Sequence, residues 1–326
     1  MKQYFKLFTT KTLAFGCIAT LAFTSANSNA AAKINDKLSI GGELWTELDV
    51  NFTSNNSSMS YGVDRALLST TYKLDGNYEM DFSLFATSST AVLVEGAYLT
   101  RSAGNGKFQI GYLHDDYISW LNDATGLRWV NASLTQSFRN RRALGANYEH
   151  NFGEDGLLSI TAQNGNDDAL GAGGADSSMN FTAAYKAALN EDLDGQAFFS
   201  FQNKDGDSAN SANAVVGFGA AIAGGSDTFK FLGEFALLKA QVNGSSARLG
   251  FGATATYAFR PMHHFYGRFY SGNKASQDAA GIKQAFEIGL LKDINKSVSG
   301  GVLGEFSKTT TDTTNSNVKV RLAAKF

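Results

Sequence analysis

The chain has 326 residues, 43% of them hydrophobic, with 34 glycines, 25 phenylalanines, 12 tyrosines and a single proline. Charged residues make up 18%, below the roughly 25% of an ordinary soluble domain, and no apolar run reaches the ~20 residues of a spanning helix, which excludes an α-helical membrane protein. The three lysines before residue 31 leave 25 cations against 30 acids beyond it, a net charge of −5 that gives no support for nucleic-acid binding.

At the start, Lys2, Lys6 and Lys11 precede an apolar stretch over 13–23, and Ser28-Asn29-Ala30 or Ala30-Ala31-Ala32 offers a small-residue cleavage site. Residues 1–30 therefore read as a cleaved secretory signal peptide and 31–326 as one mature domain. A membrane anchor is the competing reading, for which the apolar stretch is too short. Cys17 is the only cysteine, and the bulky Phe15 two positions before it argues against lipoprotein processing. Without it the mature chain has no disulfide framework, thiolate metal site or thiol nucleophile.

Successive side chains on a strand point to opposite faces, so a strand between lipid and water must alternate apolar and polar residues. That alternation places strands near 37–49, 61–74, 77–88, 91–102, 106–114, 134–149, 157–164, 178–189, 196–203, 212–222, 228–240, 246–259, 263–271, 282–291, 297–308 and 316–326. These are about sixteen, an even number as in single-chain bacterial barrels. The first sets Leu38, Ile40, Leu44 and Leu48 against Lys37, Glu43, Glu47 and Asp49; the third sets Tyr78, Met80, Phe82 and Leu84 against Glu79, Asp81 and Ser83. In the last, Val318, Val320, Leu322, Ala324 and Phe326 oppose Lys319, Arg321 and Lys325. A soluble β-sandwich also alternates, but so many charged second faces, an export signal and a terminal aromatic favour a transmembrane antiparallel β-barrel.

The connections are of two kinds. Tight Gly/Asp/Asn turns fall at 75–77, 153–156, 190–195, 224–227 and 292–295, and longer polar stretches at 51–60, 115–133, 164–177, 203–211, 272–281 and 309–317. Short periplasmic turns alternating with long external loops are what an outer-membrane barrel requires; the connection at 88–90 is the exception, short where a long loop is expected. Pro261 falls in a turn, where its missing N–H harms no ladder. Trp45, Tyr72, Tyr98, Tyr148, Tyr257 and Phe259 stand near strand ends, as the aromatics of a membrane girdle do.

The segment 318–326 resembles the C-terminal signature of bacterial outer-membrane proteins. More specific is Glu95-Gly96-Ala97-Tyr98-Leu99-Thr100 followed by Gly106-Lys107-Phe108-Gln109-Ile110-Gly111-Tyr112, which resembles the fourth and fifth strands of the general porins of Gram-negative bacteria. Tyr112 replaces the arginine usual in that family. The stretch 139–148 resembles the family's sixth strand. The resemblance implies an all-β barrel in the outer membrane, a homotrimer, and a third external loop, here the long connection 115–133, that folds inward to narrow a water-filled channel for small hydrophilic solutes and ions. The short connection at 88–90 departs from the family, whose second loop often reaches over a neighbouring subunit.

On that reading Asp115, Asp116 and Asp123 bring acids to the constriction. Strand parity, counted from the sequence, faces Arg65, Arg101, Arg139 and Arg141 toward them across the lumen. Opposed charges across a narrow pore create a transverse field that disfavours apolar solutes. Parity also turns Glu47, Glu79, Glu95, Glu149, Glu234, Glu287 and Glu305 inward, as partners for the arginines, and sends Arg142 toward lipid unless a bulge intervenes. Two competing classes are a barrel hydrolase and a non-conducting adhesive barrel. The first needs a base beside a nucleophile, and of His114, His150, His263 and His264 only His114 with Asp115 and Asp116 forms an acid–base cluster. The second would need a lumen filled with bulk, whereas sixteen strands leave an aqueous channel. Neither a cofactor nor a transition-metal site is expected. The glycines of Gly217-Phe218-Gly219 and Gly250-Phe251-Gly252 lie within alternating strands and open no helix, so they are not nucleotide loops.

Overall fold

The computed structural model describes residues 32–53, 57–88, 92–115, 141–153, 156–164, 179–203, 214–240, 248–272, 282–295, 297–309 and 314–325. A two-residue strand β1 (Ala32–Lys33) precedes sixteen longer ones: β2 (Leu38–Thr53), β3 (Ser57–Lys73), β4 (Tyr78–Ala86), β5 (Leu93–Ala103), β6 (Gly106–Asp115), β7 (Arg141–Asn151), β8 (Gly156–Asn164), β9 (Met179–Asn190), β10 (Leu193–Asn203), β11 (Ala214–Gly225), β12 (Phe229–Ala240), β13 (Arg248–Arg260), β14 (His263–Gly272), β15 (Ile282–Asp293), β16 (Val298–Thr309) and β17 (Thr314–Lys325). From β2 onward each strand pairs antiparallel with the next. The last pairs with the first long one, from Asn315 opposite Thr53 to Lys325 opposite Glu43, and this closes the barrel. β1 extends the wall at the chain start, with Ala32 opposite Ile40.

Closure gives each of the sixteen long strands a neighbour on both sides, so the wall has no free edge strand, the condition for sheet in a bilayer. The side chains then divide by face. Outward point Phe286, Ile288 and Leu290 on β15, Val302 and Phe306 on β16, and Val318, Val320 and Leu322 on β17, all exposed. The opposite face carries Glu287, Ser307 and Arg321 from the same strands, all buried. Apolar outside and charged inside is the inverse of a soluble protein, and it is stable only with lipid around the wall. At the turn end, outside the span, Asp75 bonds the Lys37 ammonium at 3.1 Å and raises its pKa above the ordinary lysine value.

Three expectations are corrected. The polar stretch 51–60 is mostly strand: β2 and β3 stay paired to Phe52 opposite Ser57. Only Phe52 and Met59 there are apolar, too few to show alternation in the sequence, and the cross-strand ladder holds the strands instead. Trp45 and Tyr98 are not girdle residues. Trp45 is paired with Arg65 on the lumen side, and Tyr98 lies opposite Asp81. Tyr72, Tyr148, Tyr257 and Phe259 do stand exposed on the outer surface.

Gly111 of β6 has φ of +141°, and a Cβ there would stand 2.3 Å from the Ala97 carbonyl oxygen. Its cross-strand partner Gly145 would bring a Cβ to 2.2 Å from the Ala162 oxygen. Backbone conformation alone makes a side chain at Gly111 cost about 1–3 kcal/mol. Gly111→Ala is expected to lower the urea midpoint of unfolding and the folded fraction on unheated gels, whereas Gly267→Ala, with open space around it, leaves both near wild type.

Candidate functional site

The seam between β17 and β2 gathers the most tightly paired charges. Arg321 lies opposite Glu47; its Nε donates to Glu47 Oε2 at 2.7 Å, and a second guanidinium nitrogen contacts the same oxygen. That guanidinium also meets Asp64 of β3 at 3.4 Å. Lys319, two residues before Arg321, bridges Glu47 at 3.8 Å and Glu305 of β16 at 3.7 Å. On the next strand Arg65 reaches Glu43 at 3.3 Å and Glu95 of β5 at 3.9 Å. The Trp45 ring lies 5.5 Å from the Arg65 guanidinium and 5.9 Å from that of Arg321, so one indole serves both cations.

The belt continues in the other direction. Arg268 of β14 approaches Glu287 of β15 at 3.9 Å and lies over the Tyr270 ring at 5.1 Å, and the Tyr266 hydroxyl donates to Glu287 at 2.7 Å. Glu234 of β12 is buried on the same face. From β6 to β10 the middle of the lumen wall is neutral instead, lined by Gln109, Asn147, Thr161, Gln163, Thr182 and Gln196, while the pairs Lys107–Glu149 and Lys186–Asp194, each at 3.3 Å, lie nearer the turn end. There Asn147 donates to Ser159 Oγ at 2.6 Å and Thr161 Oγ1 at 2.7 Å. At mid-wall there is thus a charged arc through the seam and an amide and hydroxyl arc opposite.

Bulges place two of these acids. The β2–β3 register shifts so that Trp45 faces Arg65 and Thr46 faces Val63, leaving Asp64 as the extra residue. In the β4–β5 ladder Ser83 faces Gly96 and Leu84 faces Val94, leaving Glu95. An extra residue reverses the parity beyond it, and this overturns the expectation for Arg101. With Glu95 inward and no bulge, Arg101 would also face in. Instead Thr100 takes the lumen side, while Arg101 lies opposite Tyr78 and Phe108 on the outer surface, its guanidinium 5.5 Å over the Tyr78 ring.

Of the other expected site residues, Arg65 stands in the charged arc. Asp115 ends β6 directly opposite Arg141 at the start of β7 in the backbone ladder. Asp116, Asp123 and Arg139, with the long connection that holds them, lie outside the described residues. Glu47, Glu79, Glu95, Glu149, Glu234, Glu287 and Glu305 all face the lumen as parity indicates. Lys319, Arg321 and Arg268 complete their pairs. The first two were visible as the polar face of the last strand; Asp64 was hidden by its bulge. Among the histidines, His264 pairs with Asp293 at 3.1 Å at the turn end. His150 bonds the outward Tyr148, and His263 packs on the outward Phe259. Among the described residues no group of three or more His, Cys, Asp or Glu side chains is placed to hold a metal.

Solved structures share this architecture. Salmonella typhi OmpF in complex with daunomycin superposes with a TM-score of 0.70 at 12% identity, over 91% of this chain and 100% of that one. This chain has the fold of an outer-membrane porin. Vibrio cholerae OmpT, an outer membrane protein folded in vitro, gives a TM-score of 0.67 at 10% identity over 91% and 99% of the two chains. A mutant of Rh. blastica porin gives 0.59 at 15% over 89% and 100%. No family model and no curated protein sequence matches the chain. The porin fold is thus retained at very low identity, and the particular charges of the lumen arc are read from this chain alone.

Removing one partner of a buried ion pair strands the other and costs about 3–5 kcal/mol. Glu47→Gln takes the shared acceptor from Arg321 and Lys319, both largely buried, and is expected to lower the urea midpoint clearly. Glu79→Gln, whose partner Lys73 is well exposed, should change it by less than ~1 kcal/mol. Equal midpoints for the two variants would remove the seam pair from the barrel's stability.

Proposed function

We propose that the chain is a non-enzymatic diffusion porin of the outer membrane, a water-filled channel for small hydrophilic solutes and ions. The observation that carries this reading is the charged arc: ion pairs from Arg268 to Glu95 line the inner face of a closed wall whose outer face is apolar. Charges held at a wall orient the water beside them, so a polar solute passes and an apolar one must displace that water. Acids outnumber bases on the described lumen wall, which favours cations over anions. The constriction in this reading adds Asp115, Asp116 and Asp123 from the third loop against Arg65, Arg139 and Arg141, and the pairing of Asp115 with Arg141 supports it. By resemblance to the general porins the assembly is a homotrimer.

Purified, folded protein added to a planar bilayer should give stable conductance steps without an energy source, and their absence overturns the porin reading. In a salt gradient the reversal potential should indicate cation preference. Arg65→Gln with Lys319→Gln should move it further toward cations, and Arg139→Gln with Arg141→Gln should do so independently; a pair that leaves it unchanged is not part of the filter. Unheated protein in mild detergent should migrate as a trimer, and migration as a monomer rejects that assembly.

A further inference from the structure

Charge is distributed unevenly between the two faces of the barrel. Every acidic side chain described within a strand faces the lumen, whereas the outer face carries Arg101, Arg260, Lys292 and Lys308. Two of these cations stand in one row. Arg260 of β13 is opposite His263 of β14, and His263 is opposite Lys292 of β15. With strands ~4.8 Å apart, the row spans roughly 10 Å, short enough for the long Arg260 and Lys292 side chains to converge on one oxyanion.

Arg260 reaches this row through a local departure from alternation. Ala258 faces His264 on the lumen side, and the next pair is Arg260 with His263, so Phe259 is the extra residue of a bulge. Strict alternation would have placed Arg260 inward with Ala258. Pro261 and Met262 then turn the chain, with Met262 at φ 63°, a conformation a methionine adopts only under constraint. The Pro261 carbonyl accepts a hydrogen bond from His263 Nδ1 at 2.9 Å, which fixes the ring between the two cations. Among the described residues neither Arg260 nor Lys292 makes an ion pair.

Depth in the membrane follows from the register. The neighbouring row on the outer face is Tyr257, Phe265, Leu290, Val302 and Val320, apolar apart from one phenol. The basic row lies one step beyond it toward the tight turns, at the edge of the apolar band, and the Phe259 ring packs tilted against Phe265 at 4.5 Å just inside. Phospholipid phosphates sit at that edge. We propose that Arg260, His263 and Lys292 form a headgroup site for an anionic phospholipid of the leaflet at the turn end. The phosphodiester meets the two cations and its acyl chains lie on Phe259 and Phe265. This rests on the membrane-spanning reading of the barrel and is independent of conduction.

Native mass spectrometry of the detergent-folded barrel, with equimolar phosphatidylglycerol and phosphatidylcholine, tests it. A basic residue at a lipid surface gains about fivefold in affinity at low salt, so a phosphatidylglycerol adduct should exceed the phosphatidylcholine adduct at least fivefold. Arg260→Gln with Lys292→Gln should bring the two to parity, while Arg101→Gln, a lone outer cation, keeps the preference. If the double variant fails the unheated-gel test of folding, Lys292→Gln alone is read and should reduce the preference. Equal adducts in the wild type, or a preference that survives the loss of both cations, overturns the proposal. So does displacement of the lipid by glycerol phosphate, which would make the row a site for a soluble anion. Conductance plays no part in these readouts, so failure here and failure of the pore reading are distinct results.

Discussion

In hydrocarbon a backbone amide has no water to bond, and the rest of this structure depends on that constraint. Each N–H and C=O within the span must find a partner in the wall, and a wall of strands achieves this only by closing. The β17–β2 pair does so by joining residues almost three hundred positions apart. Because the ladder is continuous, the register at this seam is coupled to the inward and outward assignment of every other strand. A slip of one residue would send Arg321 and Lys319 into lipid and Val320 into water.

The charges at the seam act within that frame. A buried ion pair is rarely more stabilising than well-packed apolar groups of the same size, so stability alone does not account for a run of them from β12 to β5. Their arrangement is economical in another sense. Glu47 serves two cations, Trp45 serves two guanidinium groups, and each member of the arc limits the desolvation cost of its neighbours. The middle of the opposite arc, from β6 to β10, is satisfied by neutral hydrogen bonds such as those from Asn147. At mid-height the resulting lumen is electrically lopsided.

Most of the fold was legible in the sequence because lipid imposes a strict demand on strands that cross it. Each of the sixteen long strands overlaps a stretch that alternation marks, and the tight turns carry the glycine, aspartate and asparagine that turn geometry favours. Legibility failed where that demand lapses. Residues 51–53 and 57–60 hold only Phe52 and Met59 as apolar side chains and read as loop although they belong to strands. At a bulge a single extra residue reverses all the parity that follows, which is why Arg101 and Tyr98 exchanged faces and why Asp64 gave no signal. The glutamates were correctly turned inward, but parity assigns a face and says nothing of which cation lies within reach. Those pairings depend on register between strands, and for the seam on contacts across the length of the chain.

The long pairing of β2 with β3 has a consequence for the shape of the rim. These strands have 16 and 17 residues, roughly 54 Å or more of extended chain and, at a tilt near 40°, about 40 Å of height. Their neighbour β4 has nine residues and rises about 23 Å, close to the ~25 Å of the apolar band itself. Among the described residues the hairpin therefore stands above the adjoining strand like a parapet, stiffened by its own ladder. A particle moving over the cell surface meets an uneven threshold on this side, high at β2 and β3 and low at β4.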